Sequence, residues 1–223
     1  MDRQLAQKAL VRYLIGLGIV MLAVFLPAGT LLYRGGWRLI LNLFLPMLLI
    51  GWLLLRRDPS LLQKRLESKE KQSVQQVVVV LSAAMFLVGF LVAGLDFRFG
   101  WFQLPRFISR IAAVIFLLGY LMYGEVLREN SFLSRSVRVQ KGQKVIDTGL
   151  YRFMRHPMYT ATILMFTMMP LMLGSLIALP VFLIYPALIV RRISNEEHVL
   201  TEELPGYSEY KKKVKYKLFP RIW

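Results

Sequence analysis

Apolar residues along this chain gather in long blocks, and polar residues are confined to short segments between them. Amphipathic stripes do not dominate, so the pattern favours a polytopic membrane protein. Four blocks, Ala9–Leu32, Trp37–Leu55, Val74–Leu95 and Phe107–Leu127, match the roughly 20 residues a helix needs to cross a hydrocarbon core. The first is too long for a typical signal-peptide core and is read as a retained span. Pro27 and Pro46 fall inside the first two blocks, where kinks are tolerated if neighbours satisfy the freed carbonyls. Two shorter blocks, Met158–Leu173 and Ser175–Val190, are joined by Leu173-Gly174-Ser175, which leaves room only for a tight reversal. Pro170, Pro180 and Pro186 interrupt them, and the pattern predicts a tilted helical hairpin. Arg191 to Leu204 continues the last helix into water, and Pro205-Gly206 ends it. A basic stretch, Tyr207 to Tyr216, is expected along the membrane surface.

The expected fold is therefore all-α: a polytopic integral membrane protein with four spanning helices, a C-terminal helical hairpin and a cytoplasmic C-terminal helical tail. A single membrane domain over 1–223 divides into N-terminal transmembrane helices, 1–128, and a core, 129–223.

Composition agrees with this reading, since 56% of residues are hydrophobic, which is rare in a soluble domain of this length. The absence of cysteine excludes disulfides, thiolate metal sites and a cysteine nucleophile, and no metal site is read elsewhere. A net charge of +16 would point to nucleic acid in a soluble protein. Here the charges lie between apolar blocks, so loops against anionic membrane lipids account for them and no nucleic-acid partner is expected. With the N-terminus cytoplasmic and all six blocks crossing, only Arg34, Arg38, Arg98, Arg106 and Arg110 of the 29 basic residues fall outside. That bias puts both termini in the cytoplasm. Trp37, Trp52 and Trp101 lie near block ends, as interfacial tryptophans do.

Candidate chemistry concentrates in two clusters that bracket the hairpin: Arg155-His156-Pro157-Met158-Tyr159 before it, and Glu196-Glu197-His198-Val199-Leu200 after it. A hairpin that folds back brings both to one membrane face and builds a polar pocket at the bilayer edge. Pro157 suits the first turn of a helix, where its missing N–H is no loss. The exposed amides of that helix start favour an anionic group such as a carboxylate. Arg192 and Glu196, four residues apart, share a helix face. Glu197 lies about 100° round from Glu196 and is compatible with facing the pocket or the solvent. Plain structural readings exist for each residue: a hydrogen-bonding histidine, a solvated glutamate pair, tyrosines as interfacial anchors. The combination is more specific than its parts, because the bilayer disfavours polar groups at both ends of one hairpin.

The run Gly149-Leu150-Tyr151-Arg152-Phe153-Met154-Arg155-His156-Pro157-Met158-Tyr159 is followed by the hairpin and then Glu196-Glu197-x-x-Leu200. Gly206-Tyr207-x-x-Tyr210 and Lys217-Leu218-Phe219-Pro220 come after it. Together they resemble the isoprenylcysteine carboxyl methyltransferases, and the related phospholipid N-methyltransferases share much of the pattern. Asn130-Ser131-Phe132 is similar to the family's Asn-x-Phe element, so the resemblance covers about Glu129–Trp223. Gly94-Leu95-Asp96-Phe97-Arg98 looks like bacterial members and receives no role.

The resemblance makes 129–223 a methyltransferase core and implies S-adenosylmethionine as cofactor, held between the hairpin mouth and the tail. By the same resemblance Leu150, Tyr151, His156, Pro157 and Tyr159 line one side of the cofactor, with Glu196 and Glu197 on the other. Arg155 and Arg192 match catalytic arginines near the transferred methyl, and Asn130 and Phe132 fall to the acceptor. Eukaryotic members act on prenylated C-terminal cysteines and have extra spans. This shorter chain resembles the prokaryotic branch in an inner or plasma membrane, with a lipophilic small molecule or lipid entering from the bilayer as substrate.

The chemistry favours an oxygen acceptor. Methyl transfer from a sulfonium is an in-line displacement with a neutral leaving group, and a carboxylate is already ionised, so the task is alignment and desolvation. A lipid amine must first lose a proton, and the only bases in view are His156, His198 or a glutamate. Two readings compete. The C-terminus, Tyr207-x-x-Tyr210 through Val214 to Trp223, also resembles NADPH-dependent sterol reductases, although no glycine-rich dinucleotide turn is present. A non-catalytic lipid-binding protein would carry charges inside its spans, and the first three blocks carry essentially none.

Overall fold

Long apolar runs give long helices, because in hydrocarbon the backbone has to satisfy its own hydrogen bonds. The computed structural model describes residues 3–66, 73–134 and 136–223. Lys69, Lys71 and Arg135, which enter the charge reading, lie outside these residues. The described chain is helical, with α1 at Arg3–Ala28, α2 at Arg34–Arg57, α3 at Pro59–Leu66, α4 at Ser73–Phe99 and α5 at Arg106–Glu129. A 3₁₀ turn at Gly149–Arg152 leads to α6 at Pro157–Leu173, then α7 at Leu179–Phe182, α8 at Ile184–Glu203 and α9 at Tyr207–Lys213. No strand forms among the described residues; Gln103 and Ser175 make one isolated antiparallel bridge.

Four of these helices, α1, α2, α4 and α5, are long and apolar enough to cross a membrane. Their outer faces expose Leu22, Leu26, Leu45 and Leu121, each more than 60% accessible, which is the surface that lipid covers in an integral membrane protein. Inside, α5 runs along α6, α1 lies against α4, and α2 contacts both α5 and α6. Close approach of α5 to α6 depends on Gly119, where a Cβ would come within 2.6 Å of the Met165 side chain. Phe86 on α4 places its ring edge on Phe166 of α6 at 4.9 Å and packs against Phe182 of α7 at 5.9 Å.

The hairpin forms, but its return leg is divided. Gly174 closes α6 in the left-handed conformation (φ 84°), which only glycine adopts without a side-chain penalty. Ser175 then hydrogen-bonds back to the Pro170 carbonyl at 3.0 Å, and its hydroxyl accepts from the Ala178 amide. The reversal thus extends over Gly174 to Ala178, and the one-turn α7 precedes α8. Pro180 and Pro186 explain the break: each sits near the start of a helix, where proline is tolerated, rather than inside one continuous helix. At 17 residues, about 26 Å long, α6 is slightly shorter than a full hydrocarbon core. Beyond α8 the chain turns at Pro205-Gly206, and α9 buries Tyr207, Tyr210 and the following Val214 against Val126, Tyr151 and Leu204. One face of the tail is therefore docked on the protein.

Helix α3 is an element that the block pattern does not reveal. Asp58 accepts from the Leu61 amide at 3.0 Å and from the Ser60 hydroxyl at 2.7 Å, capping the helix start before Pro59. Leu61 and Leu62 are buried, and the Arg12 guanidinium of α1 donates to the Leu66 carbonyl at the other end.

Candidate active site

The start of α6 and the middle of α8 lie side by side, so residues about forty positions apart in sequence become hydrogen-bonded neighbours. Two networks result. In the first, Tyr159 on α6 donates its hydroxyl to Glu196 Oε2 at 2.5 Å and accepts from Arg192 Nε at 2.9 Å. In the second, Glu197 Oε1 accepts from Arg155 Nε at 2.6 Å and lies 3.2 Å from His156 Nε2, while Lys217 Nζ stands 3.7 Å from Oε2. Neighbours in sequence, the two glutamates serve different clusters because helical geometry turns successive side chains about 100° apart.

The second network is buried: Arg155, His156 and Glu197 are 8%, 5% and 6% exposed. Burial alone pushes the Glu197 carboxyl up, but hydrogen bonds and charge from His156 and Arg155 outweigh it and bring it down to about 2. The same arginine donates through Nη1 to the carbonyls of Val214 and Lys215, at 2.7 and 3.0 Å. The amides of Arg155 and His156 bond to the carbonyls of Tyr216 and Lys217, both at 2.9 Å, and Thr160 donates to the Leu218 carbonyl at 2.8 Å. Residues 214–218 are thereby strapped over the head of α6.

A cavity, partly open to solvent, lies beside these networks. Arg155, His156, Tyr159, Arg192 and Glu196 form its ionisable wall. Asn130, Phe132, Ser134, Val137, Arg138 and Gln143 to Ile146 contribute the loop side, and Leu200, Leu204, Tyr207 and Tyr210 close the third side. Of the residues read from sequence, Asn130, Phe132, Tyr151, Arg155, His156, Tyr159, Arg192 and Glu196 meet around this cavity. Leu150 and Pro157 are not among its lining residues. Leu150 packs in the cluster around Tyr151, and Pro157 is buried at the first position of α6. Glu197 faces a separate surface recess with Ser194, His198, Thr201, Lys211 and Lys217.

The loop side of the cavity is held by contacts that the one-dimensional reading does not reveal. Asn130 donates to the Tyr151 hydroxyl at 3.0 Å and accepts from the Phe132 amide, which fixes the loop's first turn. From α3, Lys64 Nζ donates to the Ser131 carbonyl at 3.0 Å. Arg65 reaches the Tyr123 hydroxyl (2.6 Å), the Ser134 carbonyl (3.3 Å) and the Met158 sulfur (3.7 Å). The Asp58-Pro59 cap is the local signal that marks α3, but nothing local says that its last turn grips a loop some seventy residues away.

An all-helical bundle with four membrane-length helices and an ionisable cavity at one end of a re-entrant hairpin defines an integral membrane protein with a built polar site. Residues 108–202, a segment that holds α6, α7, nearly all of α8 and both glutamates, match the model of the isoprenylcysteine carboxyl methyltransferase (ICMT) family. The match, together with the four membrane-length helices, supports a membrane methyltransferase of this kind. No curated protein matches the chain.

Proposed function

We propose that the protein transfers a methyl group from S-adenosylmethionine to the carboxylate of a lipophilic acceptor that arrives from the bilayer. The observation that carries this reading is the Arg192–Tyr159–Glu196 network on the wall of a cavity at the head of the hairpin. The donor set fits the methyl donor. Glu196 suits an ammonium, the arginines suit a carboxylate, and Leu133, Val145, Ile146, Leu200 and Leu204 suit a flat heteroaromatic base. The buried Tyr207 hydroxyl, without a partner among the described residues, marks a polar position that a ligand would complete.

The bound donor supplies an electrophilic methyl on a sulfonium and departs as a neutral thioether. With a carboxylate acceptor no group on the protein has to give or take a proton. The protein's residues then orient and desolvate, which is where the rate is gained. Arg192 holds its edge at the cavity through Tyr159 and is the residue proposed to align the acceptor carboxylate. Arg155 spends Nε and Nη1 on Glu197 and the strap carbonyls, so its share is to fix the wall and present its remaining edge. His156 stacks near the Tyr159 ring, with centroids 5.7 Å apart, and keeps that ring in place. The head of the hairpin lies at the end that holds the start of α1, α3 and the end of α5. The distribution of basic residues favours a cytoplasmic position for this end, and the resemblance to the prokaryotic branch favours an inner or plasma membrane.

The test is radiolabelled methyl transfer from S-adenosylmethionine into a membrane lipid extract. Base-labile label is expected, as for an ester. Base-stable label would point to an amine acceptor and overturn the carboxylate assignment. Glu196→Gln is expected to weaken S-adenosylhomocysteine binding about tenfold or more by calorimetry, consistent with loss of a charge-assisted hydrogen bond. Unchanged affinity would remove Glu196 from the site.

A further inference from the structure

Four tyrosines line the cavity, and three have their hydroxyls engaged. Tyr151 accepts from Asn130, Tyr159 bridges Glu196 and Arg192, and Tyr210 donates to the Tyr151 carbonyl at 2.8 Å. Tyr207 differs. It is 4% exposed, its hydroxyl is buried, and that hydroxyl has no hydrogen-bond partner among the described residues. Buried polar atoms are nearly always paired, so this one calls for a physical reason. Packing does not supply it: the ring lies against Tyr210, with centroids 5.8 Å apart, and a phenylalanine would fill the same space. Its position is fixed from both sides, because Gly206, at φ 85°, turns the chain out of α8 and Tyr207 opens α9.

We propose that the Tyr207 hydroxyl binds the charged amino-acid end of the methyl donor, and that it lacks a protein partner because the ligand completes it. This assignment rests on the reading of the cavity as the methyl-donor site. The amino-acid end is favoured over the nucleoside end by the charges around the hydroxyl. Burial first, and then the carboxylates of Glu197 and Glu196, hold the phenol protonated against the opposing charge of Arg155. A protonated phenol both donates and accepts, so it serves either the carboxylate or the ammonium of a zwitterion. The same cavity wall carries Arg155, Arg192 and Glu196, charges that match the carboxylate and ammonium of that end.

Tyr207→Phe in the full-length protein separates a ligand role from a structural one, since the two roles predict opposite signs. Removing an unpaired buried hydroxyl leaves the ligand-free melting midpoint in detergent unchanged or raises it. Tyr210→Phe, which breaks an existing bond, lowers the midpoint. By calorimetry, Tyr207→Phe is expected to weaken S-adenosylhomocysteine binding roughly five- to tenfold. Binding of 5′-methylthioadenosine, which lacks the amino-acid end, changes by less than about twofold. A lowered midpoint with unchanged S-adenosylhomocysteine affinity overturns the proposal. An equal loss for both ligands puts the hydroxyl at the nucleoside end and overturns it too. If the parent protein binds neither compound, the donor reading itself fails and takes this assignment with it.

Discussion

The two ends of α6 solve the same problem by different means, and the contrast separates what holds this protein together from what equips it for chemistry. At the far end, the last carbonyls of the helix are satisfied by neighbouring side chains. Tyr33 donates to the Leu173 carbonyl at 2.7 Å, and Arg38 donates to that of Met172 at 3.1 Å. The approach is so close that a Cβ at Gly35 would fall within 2.4 Å of the Leu173 oxygen. Both side chains there point at backbone carbonyls. At the near end, the polar groups outnumber what the backbone needs. Arg155 and His156 secure the strap and neutralise Glu197, while Tyr159, Glu196 and Arg192 remain turned toward open space. An arginine is present at both ends. One donates to a helix-end carbonyl, and the other belongs to a buried ion pair beside the cavity.

The sharpest way to break the contrast is Glu197→Ala. It leaves the Arg155 guanidinium buried without its counter-charge, and the expected loss of stability is about 3–5 kcal/mol, read from denaturant or thermal unfolding in detergent. If stability were to fall no further than for a typical surface change, the ion pair would not hold the fold as its burial implies.

The same carboxylate predicts an acid response. Its folded pKa, about 2, lies below the ordinary carboxylate value, so the unfolded chain takes up the proton first as pH falls. The stabilisation is therefore full above the ordinary value of 4.5, declines below it and is lost as pH falls through about 2. Between about pH 6 and about pH 3 the parent's unfolding midpoint should fall more than that of Glu197→Gln. Parallel curves would assign the acid sensitivity to other groups.

At the far end, Tyr33→Phe should cost about 1–3 kcal/mol, because it orphans the Leu173 carbonyl. It should leave S-adenosylhomocysteine affinity unchanged. A change in affinity would mean that the two ends are coupled through α6 rather than independent.

The helices that cross the membrane were legible from residue type alone. Blocks ending near Leu32, Leu55, Leu95 and Leu127 correspond to helices ending at Ala28, Arg57, Phe99 and Glu129. A long apolar run in lipid has a helix as its only economical form. Much of the site was legible too, since the order Arg155-His156, hairpin, Glu196-Glu197 forces the two clusters to one end once the chain reverses. The division of labour between Glu196 and Glu197 was not legible. Both positions were compatible with the pocket, and only the rotation of α8 against α6 sends one to Tyr159 and the other to Arg155. The role of α3 was also hidden, because Arg65 acts on residues 58 to 93 positions away. The tail's inward face, Tyr207, Tyr210 and Val214, looked like a surface segment because its intervening lysines dominate its composition.

By itself the sequence determined where the chain crosses the bilayer, that it doubles back after Leu173, and which cluster of residues carries chemical potential. Those properties depend on hydrophobicity and on neighbours a few positions apart, which any chain displays locally. Tertiary structure alone decided which carboxylate is sealed beneath the site and which is presented to it, and which hydroxyl is left without a partner. Burial and pairing depend on what packs against a side chain from distant segments: α3, the 130–146 loop and the strap after α9.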